Sequence, residues 1–413
     1  MKTTFKLMSF LILSVIIFAC SDDDNPTDNP EETGLKEVRI LNKLNASDIK
    51  RNCQAILLNA GMPAEKVEAF VAKFKYDIEL AMVSYEIKDP LGNNRILSGV
   101  VSYPILHEQE KDKKLHIYSD VHGTIGFNTD APSQDMCAQQ RNFLMHISSH
   151  ENGYIAVFPD YFGYGTDKDN MHYYEHMRTL ASASRGLIDL VPEYAKQKSL
   201  QVNTDRLYIA GYSEGGFAAM STLKDYSETV SRFKNFTTIA GAGAYDTKQT
   251  LLNVFDKKTG TPEYVGTYAW AMMVYNKVYN INRDLNELFI SDYIPVLKKH
   301  EGKNSIYESL EDLPSIPSDI FTSGFIKGIK DGSDNTFIKA LDDNNVSDFD
   351  AKGEIYLVHG DKDPWIPSFN ADLAYERLKA RGVNIEKQIV EGGTHNDKTP
   401  LYFTMKIIEV LNK

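Results

Sequence analysis

Apolar and polar positions change rhythm several times along this chain, and each change marks an element. Residues 7–19 (LMSFLILSVIIFA) are an unbroken apolar run, whereas 21–34 (SDDDNPTDNPEETG) hold no large apolar residue and cannot bury enough surface to fold. Between 47 and 75, Val67, Phe70, Val71 and Phe74 fall three and four apart and Ser47-Asp48 offers a cap, which predicts helix. From 78 the rhythm becomes strand-like: 78–87 and 95–105 flank the hairpin loop Asp89-Pro90-Leu91-Gly92-Asn93-Asn94. Short apolar strands then follow at 115–123, 154–163, 206–213, 236–244, 354–361 and 385–393. Helices are expected near 173–197, from Glu214 onward, near 368–381 and at the end of the chain. Antiparallel strands first and β-α alternation afterwards predict an α/β fold, a mostly parallel sheet with helices on both faces.

The alternation breaks between 246 and 350, a helical and aromatic stretch (Tyr264, Tyr268, Trp270, Tyr275, Tyr279). A span of roughly 100 residues is far more than two consecutive strands need, so a subdomain in a lid or cap position is expected there. The layout is then 1–19 leader, 20–34 tether, 35–245 first part of the core, 246–350 insertion and 351–413 second part of the core.

The apolar run at 7–19 is too short to span a bilayer, which takes about 20 residues, and Lys2 and Lys6 precede it, so it reads as a signal peptide. Its end, Ile17-Phe18-Ala19-Cys20, resembles a bacterial lipoprotein signal in which the Cys becomes the lipidated first residue. Ser21-Asp22-Asp23-Asp24 resembles the acidic export tag of surface lipoproteins in some Gram-negative bacteria. The expected setting is therefore an exported lipoprotein on the outer membrane, held through lipid on Cys20. Cys53 and Cys137 remain, as a disulfide or as two buried thiols. The formal charge is −12, from 45 basic and 57 acidic residues, which disfavours nucleic acid as a partner.

The sharpest local signal is Gly211-Tyr212-Ser213-Glu214-Gly215. A G-x-S-x-G match alone is weak. Here the apolar run 207–210 precedes it and the small residues Gly215, Gly216, Ala218 and Ala219 follow, giving strand, sharp turn and helix. A serine hydroxyl needs a base, and the base needs an orienting acid. Val358-His359-Gly360-Asp361-Lys362-Asp363-Pro364 and Glu391-Gly392-Gly393-Thr394-His395 each follow a strand, in the chain order Ser, acid, His. From residue 78 onward this arrangement resembles the α/β hydrolases. Asp361 and Asp363 are rival acids; the resemblance to their H-G-x-x-D pattern favours Asp363, and Asp361 then shapes the turn.

That resemblance implies a serine esterase with Ser213 as nucleophile, His395 as base and no cofactor or metal. The oxyanion donors would be the backbone N–H of Glu214 and, from Asp120-Val121-His122-Gly123-Thr124, that of Thr124, with Gly123 as the alternative. Phe158-Pro159-Asp160-Tyr161-Phe162-Gly163-Tyr164-Gly165 and the long insertion look like the secreted lipase branch. Tyr212, Asp160, Tyr161, Tyr268, Trp270, Met272 and Met273 are candidates for the substrate pocket. His146 and His150, and His172 and His176, stand four apart and could share a helix face, but no H-E-x-x-H pattern or third ligand accompanies them. Small-molecule or polysaccharide esters fit as substrates. Rival readings are a serine peptidase related to prolyl oligopeptidases and a non-catalytic surface binding lipoprotein. About 200 residues precede the serine, too few for the propeller of those peptidases.

Overall fold

The computed structural model describes residues 34–134 and 143–413. Cys20, Cys137 and the expected signal peptide lie outside them, and so does all but residue 34 of the tether. The nine strands are β1 Leu35–Leu44, β2 Asp77–Lys88, β3 Asn94–Ile105, β4 Lys114–Val121, β5 Tyr154–Pro159, β6 Gln201–Tyr212, β7 Asn235–Gly241, β8 Glu354–Gly360 and β9 Asn384–Val390. They form one sheet in the order β1-β2-β3-β5-β4-β6-β7-β8-β9. The first three strands and β5 pair antiparallel, and β4 to β9 run parallel. The hairpin between β2 and β3 is closed by Asp89, whose Oδ1 accepts from the N–H of Leu91 and Asn93 at 2.9 Å each.

The helices are α1 Ala46–Asn59, α2 Ala64–Val71, α3 Met177–Gln197, α4 Glu214–Glu228, α5 Thr247–Asp256, α6 Pro262–Val278, α7 Leu285–Leu288, α8 Ile294–His300, α9 Ser323–Lys330, α10 Asn335–Asp343, α11 Phe369–Ala380 and α12 Lys398–Leu411. Strand side chains alternate between two buried clusters, as the two-residue period requires. Leu207 and Ile209 of β6, with Ile355 and Leu357 of β8, face α3, α4 and α11. Ala210, Tyr356 and Val358 face α1, α2 and α12.

Two expectations are corrected. The helical stretch 47–75 is two helices, because Gly61 takes φ +85 and Pro63 follows before α2 can start. Strand β1 adds to the expected strands; it lies at the sheet edge with Val38 and Ile40 partly exposed, so its alternation is weak. The 246–350 stretch holds α5 to α10, and its apolar residues, such as Val254, Trp270 and Phe337, join the same buried cluster as α3 and α4. Among the described residues no helix is long and apolar enough to cross a membrane.

Candidate active site

Strand β6 ends at Tyr212 and α4 begins at Glu214, so the whole reversal falls on Ser213, at φ 62 and ψ −125. That region is strained for a residue with a Cβ. It is held there by Ser213 N–H donating to the Gly241 carbonyl at 2.9 Å and by Phe217 N–H donating to the Ser213 carbonyl at 3.1 Å. The second helical residue must be small: a Cβ on Gly215 would collide with the Val121 carbonyl oxygen at the end of β4. The turn thereby presents the Ser213 hydroxyl at the C-terminal edge of the sheet, with the unpaired N–H groups of the first turn of α4 behind it.

Strands β8 and β9 end at the same edge. Asp363, in the loop after β8, and His395, in the loop after β9, come together there although 32 residues separate them. His395 Nδ1 lies 2.6 Å from Asp363 Oδ2, and His395 Nε2 lies 2.9 Å from Ser213 Oγ. A carboxylate only accepts, so Nδ1 carries the proton and Nε2 presents its lone pair to the serine. The imidazole packs between the Tyr212 ring (centroids 5.3 Å apart) and the Trp365 ring (5.2 Å). Tyr212 OH donates to the His395 carbonyl at 2.7 Å, which fixes the loop.

Asp363 is buried, and its Oδ1 accepts from the N–H of Trp365 and Ile366 at 2.9 Å each. Burial raises its pKa, but hydrogen bonds from His359 and His395 outweigh it and hold the carboxyl well below the usual carboxylate range. The rival acid Asp361 instead accepts from Gly392 N–H at 2.7 Å and shapes the turn between the two loops.

The loop after β4 runs alongside the serine: a Cβ on Gly123 would lie 2.9 Å from the Tyr212 carbonyl oxygen and 3.6 Å from Ser213 Cβ. Thr124 Oγ1 meets Tyr174 OH at 3.1 Å. The carboxyl of Glu214 turns inward, and His172 Nε2 lies 2.7 Å from its Oε1 while His172 Nδ1 donates to the Phe162 carbonyl at 2.8 Å.

Four of the pocket candidates have other work. Asp160 is fully buried and accepts from Ser98 Oγ at 2.5 Å and Ser133 N–H at 2.8 Å. Tyr161 is buried with its hydroxyl on the His122 carbonyl at 3.1 Å, and Tyr212 braces His395 as above. Trp270 sits one layer back, stacked on Tyr174 with centroids 4.4 Å apart. Tyr268 and Met272 do line a cavity, with Tyr174, Glu175, Trp365 and others. Glu175 and Trp365 carried no distinctive motif, since each is a lone residue in a loop.

The paired histidines are also corrected. His172 and His176 precede α3, and Glu175 between them, at φ 52, turns them apart. His172 bonds Glu214, and His176 Nδ1 lies 3.1 Å from Thr179 Oγ1. His146 Nδ1 meets Cys53 Sγ at 3.3 Å, whereas His150 Nε2 meets Asn412 Oδ1 at 3.1 Å. Among the described residues no three His, Cys, Asp or Glu side chains converge as a metal site would need. Cys53 is a buried free thiol, and burial pushes its pKa up.

No family model and no curated protein sequence matches the chain. Solved structures do. A candidate hydrolase of Legionella pneumophila is 24% identical at a TM-score of 0.78, covering 92% of this chain and 97% of the other. The rice cell wall degrading esterase LipA of Xanthomonas oryzae, in a ligand-bound form, is 20% identical at 0.74, covering 92% and 97%. The chain has the α/β-hydrolase fold. Candida antarctica lipase A in its closed state is more distant, 11% identical at 0.59, covering 90% and 82%. Identities this low show the fold.

Proposed function

We propose that this protein is a serine hydrolase that cleaves carboxylic esters. The observation that carries the reading is the run of contacts from Asp363 through His395 to Ser213, at 2.6 and 2.9 Å, ending on a strained turn at the sheet edge. The Xanthomonas oryzae esterase and the Candida antarctica lipase share the fold and support the same reaction class.

In this reading Ser213 Oγ bonds to the ester carbonyl carbon as its proton passes to His395 Nε2. The carbonyl electron pair moves onto oxygen, where the N–H groups of Glu214 and Thr124 receive it; one such donor is worth about 10²–10³ in rate. Asp363 keeps the His395 tautomer and stabilises the imidazolium. Collapse of the adduct breaks the C–O bond, and His395 returns the proton to the departing alcohol. Water, activated by the same imidazole, then releases the acid from the acyl-serine. The leader sequence supports an exported lipoprotein anchored through Cys20 in the outer membrane of a Gram-negative bacterium, acting on small-molecule or polysaccharide esters from there.

Purified protein is offered p-nitrophenyl butyrate and a fluorogenic dipeptide side by side, with Ser213→Ala as control. Ester cleavage that disappears in the variant is expected. Cleavage of the peptide alone would replace the reading with a peptidase, and a folded protein inert to both would be a binding protein.

A further inference from the structure

The cavity lined by Tyr268 and Met272 is small, about 60 Å³, and partly open to solvent. It shares one wall with each half of the candidate site. Tyr174 on one side bonds Thr124 of the loop beside Ser213, and Trp365 on the other packs on His395. Most of the lining is apolar or aromatic, and its polar atoms are almost all committed. Thr247 Oγ1 donates to the Leu341 carbonyl (2.7 Å), Thr250 Oγ1 to that of Asp246 (2.8 Å) and Thr267 Oγ1 to that of Tyr264 (2.9 Å). Tyr268 OH donates to the Trp365 carbonyl and Tyr275 OH to the Glu175 carbonyl, both at 2.7 Å.

Glu175 is the exception. Its Oε2 is buried with no hydrogen-bond partner among the described residues. Burial, and after it the charge of Glu214, pushes its pKa well above the usual carboxylate range. Its backbone is in the left-handed region at φ 52, pinned by the bond from Tyr275 of α6. An unpaired buried acid on a strained backbone opposes folding, and such costs persist where a ligand answers them.

We propose that this cavity is a substrate subsite and that Glu175 is its specificity-determining residue, exchanging hydrogen bonds with a hydroxyl on the acyl or alcohol half of the ester. A carboxyl oxygen accepts from a hydroxyl, and the aromatic walls suit the carbon skeleton around it. A cationic group is opposed by the Lys257 ammonium, which sits 3.1 Å from the Trp365 carbonyl and 5.9 Å from the Tyr268 ring. The inference rests on the ester-cleaving reading of Ser213.

The test compares kcat/KM within two matched pairs: p-nitrophenyl butyrate against p-nitrophenyl 3-hydroxybutyrate, and propyl butyrate against glyceryl monobutyrate. The native protein should favour the hydroxylated member of at least one pair by about tenfold, the worth of one well-made hydrogen bond. Glu175→Met should bring that ratio to within about twofold, and Glu175→Gln, whose amide still donates and accepts, should keep part of it. Glu175→Met should melt no lower than the native protein, since no partner is lost. Ratios near one in both pairs, or a ratio unmoved by Glu175→Met, would overturn the subsite. If the native protein cleaved none of the four esters, the ester-cleaving reading itself would fail, which is a separable result.

Discussion

Replacing Asp363 by Asn separates orientation of the base from integrity of the loop. In the native site Oδ2 accepts the His395 Nδ1 proton at 2.6 Å, and Oδ1 accepts two backbone N–H groups at 2.9 Å. The Asn side chain can keep its oxygen on those N–H groups, which turns its NH2 toward His395. Two donors then face each other, and the imidazole relieves this by moving its proton to Nε2. Nε2 no longer has a lone pair for Ser213. Loss of the correct tautomer and of the charge beside the imidazolium should lower kcat by about ten-thousandfold, roughly 5.4 kcal/mol of barrier. Because the loop keeps its acceptor, Asp363→Asn should lose only the stability that the carboxylate's charge supplies. Asp363→Ala should abolish activity to the same degree but also strand both N–H groups, costing about 1–3 kcal/mol for each in a urea titration. Steady-state hydrolysis of p-nitrophenyl butyrate and urea unfolding, run on both variants and on Asp361→Asn, read the two effects separately. Activity of Asp363→Asn within tenfold of native, with Asp361→Asn inactive, would refute the assignment of the acid.

Acid unfolding should carry the signature of the same carboxyl. Its folded-state pKa is depressed, so the unfolded chain binds the proton more readily, and stability from this group is present above about pH 3.9 and lost as pH falls further. Below about pH 4 the native protein should therefore lose stability more steeply than Asp363→Asn, and parallel curves would argue against an ionised Asp363. Gly215→Ala drives a Cβ into the Val121 carbonyl and should cost at least about 1–3 kcal/mol in the same titration, because backbone cannot step aside. Tyr212→Phe removes the bond to the His395 carbonyl and should reduce kcat by about three- to tenfold with KM little changed.

The parts of this molecule legible in its sequence are those where one short stretch carries both the fold signal and the chemistry. The apolar strand before Ser213 and the small residues after it admit one geometry, and the loop of Asp363 follows the apolar run Ile355–Val358. Strand β1 escaped because an edge strand buries little and need not alternate cleanly. The break at Gly61-Met62-Pro63 was visible in residue types but was masked by helical spacing on either side. Pocket residues are the least legible, for a physical reason. Asp160, Tyr161 and Trp270 are residue types that suit a pocket, yet packing turned them to internal partners. Glu175 is an acidic loop residue whose burial depends on α6, nearly a hundred residues away in the chain. Tertiary packing decides such cases, and single-residue character does not.

The most direct measurement is the site of covalent capture by a fluorophosphonate, read as intact mass and then by peptide mapping. The account predicts one adduct per folded chain, on Ser213, formed slowly or not at all in Asp363→Asn and absent from Ser213→Ala. A folded native chain that stays unmodified, or that carries its adduct on another residue, would contradict it.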